Sequence, residues 1–267
     1  MPIDHATAAL EVRILDEHVR EIVLTRPEVL NRVDEQLHHE LIEALREVSD
    51  DVATRAVVLS SQGPAFSAGG DFEMMRTAHS DSVARRQIID TGRALATAFF
   101  SLPQPIIAAV QGPAIGLGAT LVLSCDAVVA ARSASLADPH VRMGLVAGDG
   151  GCVVWPAAAG MLRARRHLLT GDALPAETAY TLGLVTDLVD DAAQVRDAAL
   201  AIARSIAAAA PLAVQGTKRA LNRVTNQRAG EVLDLSFALE EHTLASADLM
   251  EAIAAFQEKR TPTFRGR

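Results

Sequence analysis

The chain reads as an α/β protein. Short apolar, β-branched runs recur through residues 1–195, and each is followed by a glycine-rich loop and then by helical periodicity. Residues 196–267 carry helical patterning alone. This divides the chain into a strand–loop–helix core (1–195) and a C-terminal helical region (196–267), with no linker or low-complexity stretch between them.

The elements follow in order. Residues 10–15 (LEVRIL) and 19–25 (VREIVLT) predict a hairpin turning at Asp16, Glu17 and His18, with Pro27 ending the second strand. Leu37, Leu41, Ile42, Leu45 and Val48 share a helical face over 34–48, and Asp34 is placed to cap it. Residues 55–60 (RAVVLS) predict a buried strand, followed by the loop SQGPAFSAGGD. A long helix is expected over 81–101, ended by Pro103 and Pro105. Then come a buried strand over 106–111 (IIAAVQ), the loop GPAIGLG, a short apolar helix to about Cys125 and a strand over 127–131 (AVVAA). The segment DPHVRMGLVAGDGG is glycine-rich. From Val153 the pattern is mostly helical, interrupted by strand-like LVTDLVD at 184–190 and broken within 191–259 at Pro211 and Gly230.

Composition narrows the function classes. A chain of 267 residues buries roughly 73% of its unfolded surface, enough for a substantial core. The 33 acidic against 25 basic residues give a net charge of −8, which disfavours binding nucleic acid or an anionic membrane by bulk charge. Cys125 and Cys152 are too few for a disulfide framework or a zinc set and suit a reducing cytoplasm, where we expect the protein. The segment MPIDHATAAL lacks the pattern of a secretory leader, and no apolar run has the length of a membrane span.

Most catalytic motifs are excluded. GPAIGLGAT has Leu121 where a dinucleotide fingerprint needs a third glycine, and there is no P-loop, GxSxG, HExxH or CxxC. His38 and His39 point about 100° apart on their helix, so they read as surface histidines and not as a metal clamp. No metal site is expected. Trp155 reads as core or as pocket wall. Two loops stand out: Ala65–Phe72 and Gln111–Gly118 both follow buried strands and lead into helical sequence. Main-chain N–H groups there, if both face one point, form a donor pair for a developing oxyanion. Tight turns are the alternative reading.

AFSAGGDFEMM, PIIAAVQGPAIGLGATLVLSCDAVVAA, LADPHVRMGLVAGDGG and EAIAAFQEKRTPTF, together with RPEVLN near the start, resemble the enoyl-CoA hydratase/isomerase superfamily, the crotonases. The blocks occur in the family's order across roughly residues 10–264. The resemblance implies a spiral of β–β–α turns with a C-terminal helical region that makes trimers, often paired into hexamers. It implies an acyl-CoA thioester substrate, with coenzyme A present as part of that substrate and no separate cofactor. By position, the oxyanion-hole N–H groups are those of Gly70 and Leu117. Val29, Leu30, Ala68, Asp71 and Phe72 then line the adenine and pantetheine path. Phe256 and Lys259 approach the CoA from the terminal helix, of this or a neighbouring subunit, and Lys259 suits a phosphate.

The chain departs from the family's hydratases at both of their glutamates, where it has Thr120 and His140. In their place stand His140 and Asp149, joined by a glycine-rich segment that allows the chain to fold back. Asp149 is expected to orient one ring nitrogen while the other takes a proton from water. Asp149 is also a candidate cap for the helix beginning near Gly151, and Asp71 reads as a loop or cap residue. Glu240 and Glu241 lie on a late helix with nothing to choose between them. The leading reading is hydration of a 2-enoyl-CoA. The alternatives are hydrolytic C–C cleavage of a β-diketone, isomerisation by the same His140/Asp149 pair, and acyl-CoA binding without catalysis.

Overall fold

The computed structural model describes residues 4–267. The first three residues, part of the segment tested above for a leader, lie outside them. The chain opens with β1 (His5–Ala6), β2 (Leu10–Ile14) and β3 (Val19–Leu24). The β2–β3 hairpin forms as expected, with Leu10 opposite Leu24 and Val12 opposite Ile22. Its turn is held by Asp16 Oδ1, which accepts from the N–H groups of His18 and Val19. Helix α1 (Glu35–Asp50) starts at Asp34, whose carboxylate accepts from Leu37 N at 3.0 Å. Then follow β4 (Ala56–Ser61), α2 (Phe72–Ser80), α3 (Ser82–Ser101), β5 (Ile106–Val110), β6 (Ala114–Ile115), α4 (Leu117–Leu123), β7 (Ala127–Ala131) and β8 (Ser135–Ala137). A 3₁₀ turn at His140–Met143 leads to α5 (Gly151–Ala159) and α6 (Met161–Thr170). The rest is β9 (Leu174–Pro175), α7 (Ala176–Leu182), β10 (Asp187–Val189), α8 (Val195–Ala208), α9 (Pro211–Leu244) and α10 (Ala247–Glu258).

The main sheet runs β1-β2-β3-β4-β5-β7-β10, antiparallel as far as β3 and parallel from there on. A small second sheet, β6-β8-β9, lies where the glycine-rich loops meet. Strands β3 and β5 are buried along their whole length, as parallel strands covered on both faces must be. The two charges in β3 are both paired: Arg20 with Asp51 at 2.9 Å, and Glu21 with Arg196 in a bidentate pair at 2.7 and 2.6 Å, with a further hydrogen bond accepted from Ser60 Oγ. Helix α8, the first of the C-terminal region, lies across β4, β5 and β7, while α9 packs on α3 and α5. No single helix among the described residues is long and apolar enough to cross a membrane.

One expectation about elements is sharpened and one is overturned. Residues 72–80 form a helix of their own, begun by Asp71, whose side chain accepts from Met74 N. Gly230 does not break the C-terminal pattern, because α9 runs unbroken through it. One glycine in a helix costs only about 1 kcal/mol against alanine, which a long packed helix tolerates. The break comes later, where Ser246 caps α10. Pro211 acts as expected, opening α9 in its first turn.

Candidate active site

The site begins with a turn that glycine does not make. Leu30 and Asn31 both adopt positive φ, 54° and 51°. Asn31 is buried, and its side chain holds the turn to the following loop through Gln62 O and Ala65 O. Ser67 Oγ donates to Asn31 O at 2.8 Å, Ala68 N to Leu30 O at 2.9 Å and Val33 N to Gly69 O at 2.7 Å. The second glycine-rich loop lies against this one, joined by Ile115 N to Ser67 O at 3.0 Å. The contact is close at Gly69 (φ 84°), where a Cβ would stand 2.6 Å from Ile115 O. Gly116, also at positive φ, leads into α4.

Loop and helix start together leave two N–H groups free. Leu117 is the first residue of α4, so its N–H has no partner within the helix. Neither it nor the N–H of Gly70 has an acceptor among the described residues. Both residues line one cavity with His140, Asp149 and Glu240, and Met74, Met75, Ile88, Leu145 and Phe237 supply apolar wall. Its free space is about 50 Å³, room for one or two waters.

His140 lies in the 3₁₀ turn after Pro139. The sequence reading paired it with Asp149 through one ring nitrogen and left the other free. The structure corrects this. Nδ1 is 2.5 Å from Oδ1 of the fully buried Asp138, two residues earlier, and Nε2 faces Asp149 Oδ2 at 3.5 Å. The orienting carboxylate is therefore Asp138, and the imidazole lies between two acids. Burial alone would depress the His140 pKa, but Asp138 and then Asp149 outweigh it and push it up to about 10. A carboxyl on each side thus favours the imidazolium form of His140, which carries no lone pair for a proton from water.

Asp149 accepts from Thr120 Oγ1 at 3.2 Å and from Gly151 N at 3.4 Å. Thr120, at a family glutamate position, thus holds a carboxylate in place of being one. Burial, then Asp138, raises the Asp149 pKa, with His140 opposing. Glu240, half-buried, lines the same cavity. Burial and then the Asp149 charge push its carboxyl up to about 8, so it is a neutral acid at pH 7. Glu241 turns outward to pair with Arg86 at 3.3 Å, which resolves the choice between the two glutamates. Asp138, His140 and Asp149 are metal-ligand residue types in one cluster. Their ligand atoms lie within 4.8 Å of one another, and each ring nitrogen of His140 faces its own carboxylate.

His38 is a second correction. It is buried and lines the cavity, with Nδ1 3.1 Å from Asp34 O. Burial drives its pKa down to about 4, so it is neutral. It shares the inward face of α1 with Leu41 and Leu45, whereas His39, next in sequence, is exposed as expected.

The residues assigned to the CoA path gather at one edge. Leu30 and Ala68 are exposed and Val29 half-buried. Asp71 caps α2 and pairs with Arg32 Nε at 2.8 Å. Phe72 meets Phe256 edge-to-face, with centroids 5.2 Å apart, so the end of α10 reaches this edge from the same chain. Lys259, exposed and at φ 54°, ends α10. Trp155 is fully buried, stacks on His167 and does not line the cavity.

The profile of the enoyl-CoA hydratase/isomerase family matches residues 15–267. The chain belongs to that family. Among curated family members it is 33% identical over 266 residues to the 1,2-epoxyphenylacetyl-CoA isomerase of Escherichia coli, covering 95% of this chain and 97% of the relative. It is 32% identical over 248 residues to the 2,3-dehydroadipyl-CoA hydratase of the same organism, covering 92% and 94%. Among solved structures, an enoyl-CoA hydratase/isomerase from Mycobacterium paratuberculosis superposes with a TM-score of 0.88 at 37% identity, covering 93% of this chain and 98% of the other. The fold is thus that of the crotonases, with the C-terminal helices present. Within this family member, sequence reasoning missed Asp138 and the inward turn of Glu240. Asp138 carried a local signal, an aspartate two residues before a histidine in a turn. Glu240 carried none, because only the packing of α9 brings it to the loop.

Proposed function

We propose that this family member moves a double bond along an acyl-CoA thioester by proton transfer through a dienolate. The observation that carries this reading is His140, whose two ring nitrogens both face carboxylates. Hydration or C–C hydrolysis by His140 would need a free imidazole lone pair. The imidazolium instead supports Asp149 as a carboxylate able to take a proton from C2 of a 3-enoyl-CoA. The charge that develops on the thioester oxygen is received by the N–H groups of Gly70 and Leu117. Loss of one such donor typically costs about 2.7–4 kcal/mol of barrier. The apolar walls limit the water that reaches the dienolate.

Coenzyme A enters as part of the substrate. It runs past Val29, Leu30, Ala68, Asp71 and Phe72, with Phe256 against its pantetheine and Lys259 near a phosphate. The protomers assemble as a homotrimer or a hexamer. Support comes from α9, where Leu221, Val224, Leu235 and Leu239 are exposed and recur on one helical face. Hydration is the second reading, because Asp149 and Glu240 are two carboxyls on one cavity and a water bracketed by two carboxyls is what hydration needs.

The test is to incubate the protein with 3-enoyl- and 2-enoyl-CoA thioesters in deuterated and in ¹⁸O-labelled water and to analyse products by mass spectrometry. The expected result is interconversion of the two alkenes with deuterium and without ¹⁸O. Addition of labelled water at C3 would establish hydration in its place, and tight binding without any product would leave the non-catalytic reading.

A further inference from the structure

Glu240 is a half-buried titratable group lining the cavity that the proposed dienolate chemistry has not yet used. Its Oε2 is buried without a hydrogen-bond partner. It lies over Gly148, where a Cβ would come within 2.6 Å of both Glu240 Oε2 and Glu240 Cβ, so only glycine there admits the carboxyl. Helix α9 is fastened to this loop on both sides of Glu240. Ser236 Oγ donates to Gly148 O at 3.0 Å, and Val146 N donates to Thr243 Oγ1 at 3.2 Å. Buried polar atoms are normally paired, and an unpaired one directed into a cavity calls for a ligand.

We propose that Glu240 is a second catalytic residue, the acid that delivers a proton to C4 of the dienolate after Asp149 has taken one from C2. This rests on the isomerase reading. The step balances. The C2–H bond breaks as an O–H bond forms on Asp149, and the electron pair passes into the dienolate. The Glu240 O–H bond then breaks as the dienolate pair forms C4–H and the carbonyl returns. The substrate keeps its composition, and Asp149 holds the proton that Glu240 has lost. Transfer between the two neighbouring carboxyls restores the starting state. The charged and titratable groups around Glu240 are Asp149, His140, Asp138 and Cys152. Burial and then the Asp149 carboxyl beside it favour the protonated form of Glu240, the form that can donate.

Glu240→Gln preserves size and donor capacity but cannot release a proton to carbon. The experiment follows exchange of the C2 hydrogen of an acyl-CoA with deuterated water alongside net isomerisation. In Glu240→Gln, C2 exchange is expected to persist while isomerisation falls by roughly 10²–10⁴-fold. Asp149→Asn is expected to lose both, and Glu240→Asp to recover part of the isomerisation. Acyl-CoA affinity measured by calorimetry reports folding of each variant independently of turnover. Undiminished isomerisation in Glu240→Gln, or joint loss of exchange and isomerisation in a variant that still binds, would overturn the assignment. Absence of C2 exchange in the parent enzyme would overturn the isomerase reading itself, a result distinct from failure of Glu240 alone.

Discussion

His140 shows how much one side chain's surroundings decide. A histidine at a family catalytic position invites the role of general base, and its proximity to Asp149 was legible in the glycine-rich spacing between them. The role was not legible, because it depends on Asp138 occupying the other ring nitrogen at 2.5 Å. The folded pKa near 10 lies above the ordinary 6.5. The imidazolium's contribution to stability is therefore complete below about pH 6.5 and is lost as pH rises through about 10. Removing a partner from a buried charge cluster typically costs about 3–5 kcal/mol. We expect His140→Ala to lose about that much in urea melts near neutral pH, and the gap to the parent to narrow between about pH 6 and pH 10. A gap that stays constant over that range would mean the histidine is neutral in the folded protein.

At the scale of elements, periodicity and caps revealed most of the architecture. The β2–β3 hairpin, α1 from Asp34, α3 from Asp81 and the strand at Ala127–Ala131 all stand where the apolar spacing put them. Helix α2 was legible only as helical sequence following the first glycine-rich loop, without bounds, because FEMMRTAHS is short and buries fully only Ala78. The one signal for its start was the capping Asp71. Gly230 misled in the other direction, since a helix breaker in isolation becomes a tolerated cost once α9 packs on α3 and α5. The site around Gly230 is open, with nothing within 4 Å of an added Cβ, and its φ is not positive. Gly230→Ala is expected to raise stability by about 0.5–1 kcal/mol in a denaturant titration. No gain would show that α9 bends or opens at this point.

For the whole molecule, the sheet order and the small second sheet were not legible, because strand neighbours far apart in sequence are set by tertiary packing. The spiral was reachable only through the family resemblance. The four exposed aliphatic side chains along one face of α9 bear on assembly. Light scattering after size exclusion is expected to give three or six times the 28.2 kDa protomer mass, and a monomer at micromolar concentration would contradict the trimer or hexamer. The interlocked glycine loops have a different consequence. The two N–H groups of Gly70 and Leu117 belong to the main chain, and an added Cβ at Gly69 or Gly118 would collide with the opposite loop at 2.6 or 2.7 Å. Point substitution can therefore change the side chains around the cavity, as at Thr120, His140 and Glu240, while the main-chain donors of the proposed enolate site depend on no side chain of their own. On the proposed reading, such a scaffold can change reactions one residue at a time and keep the donors that would hold an enolate.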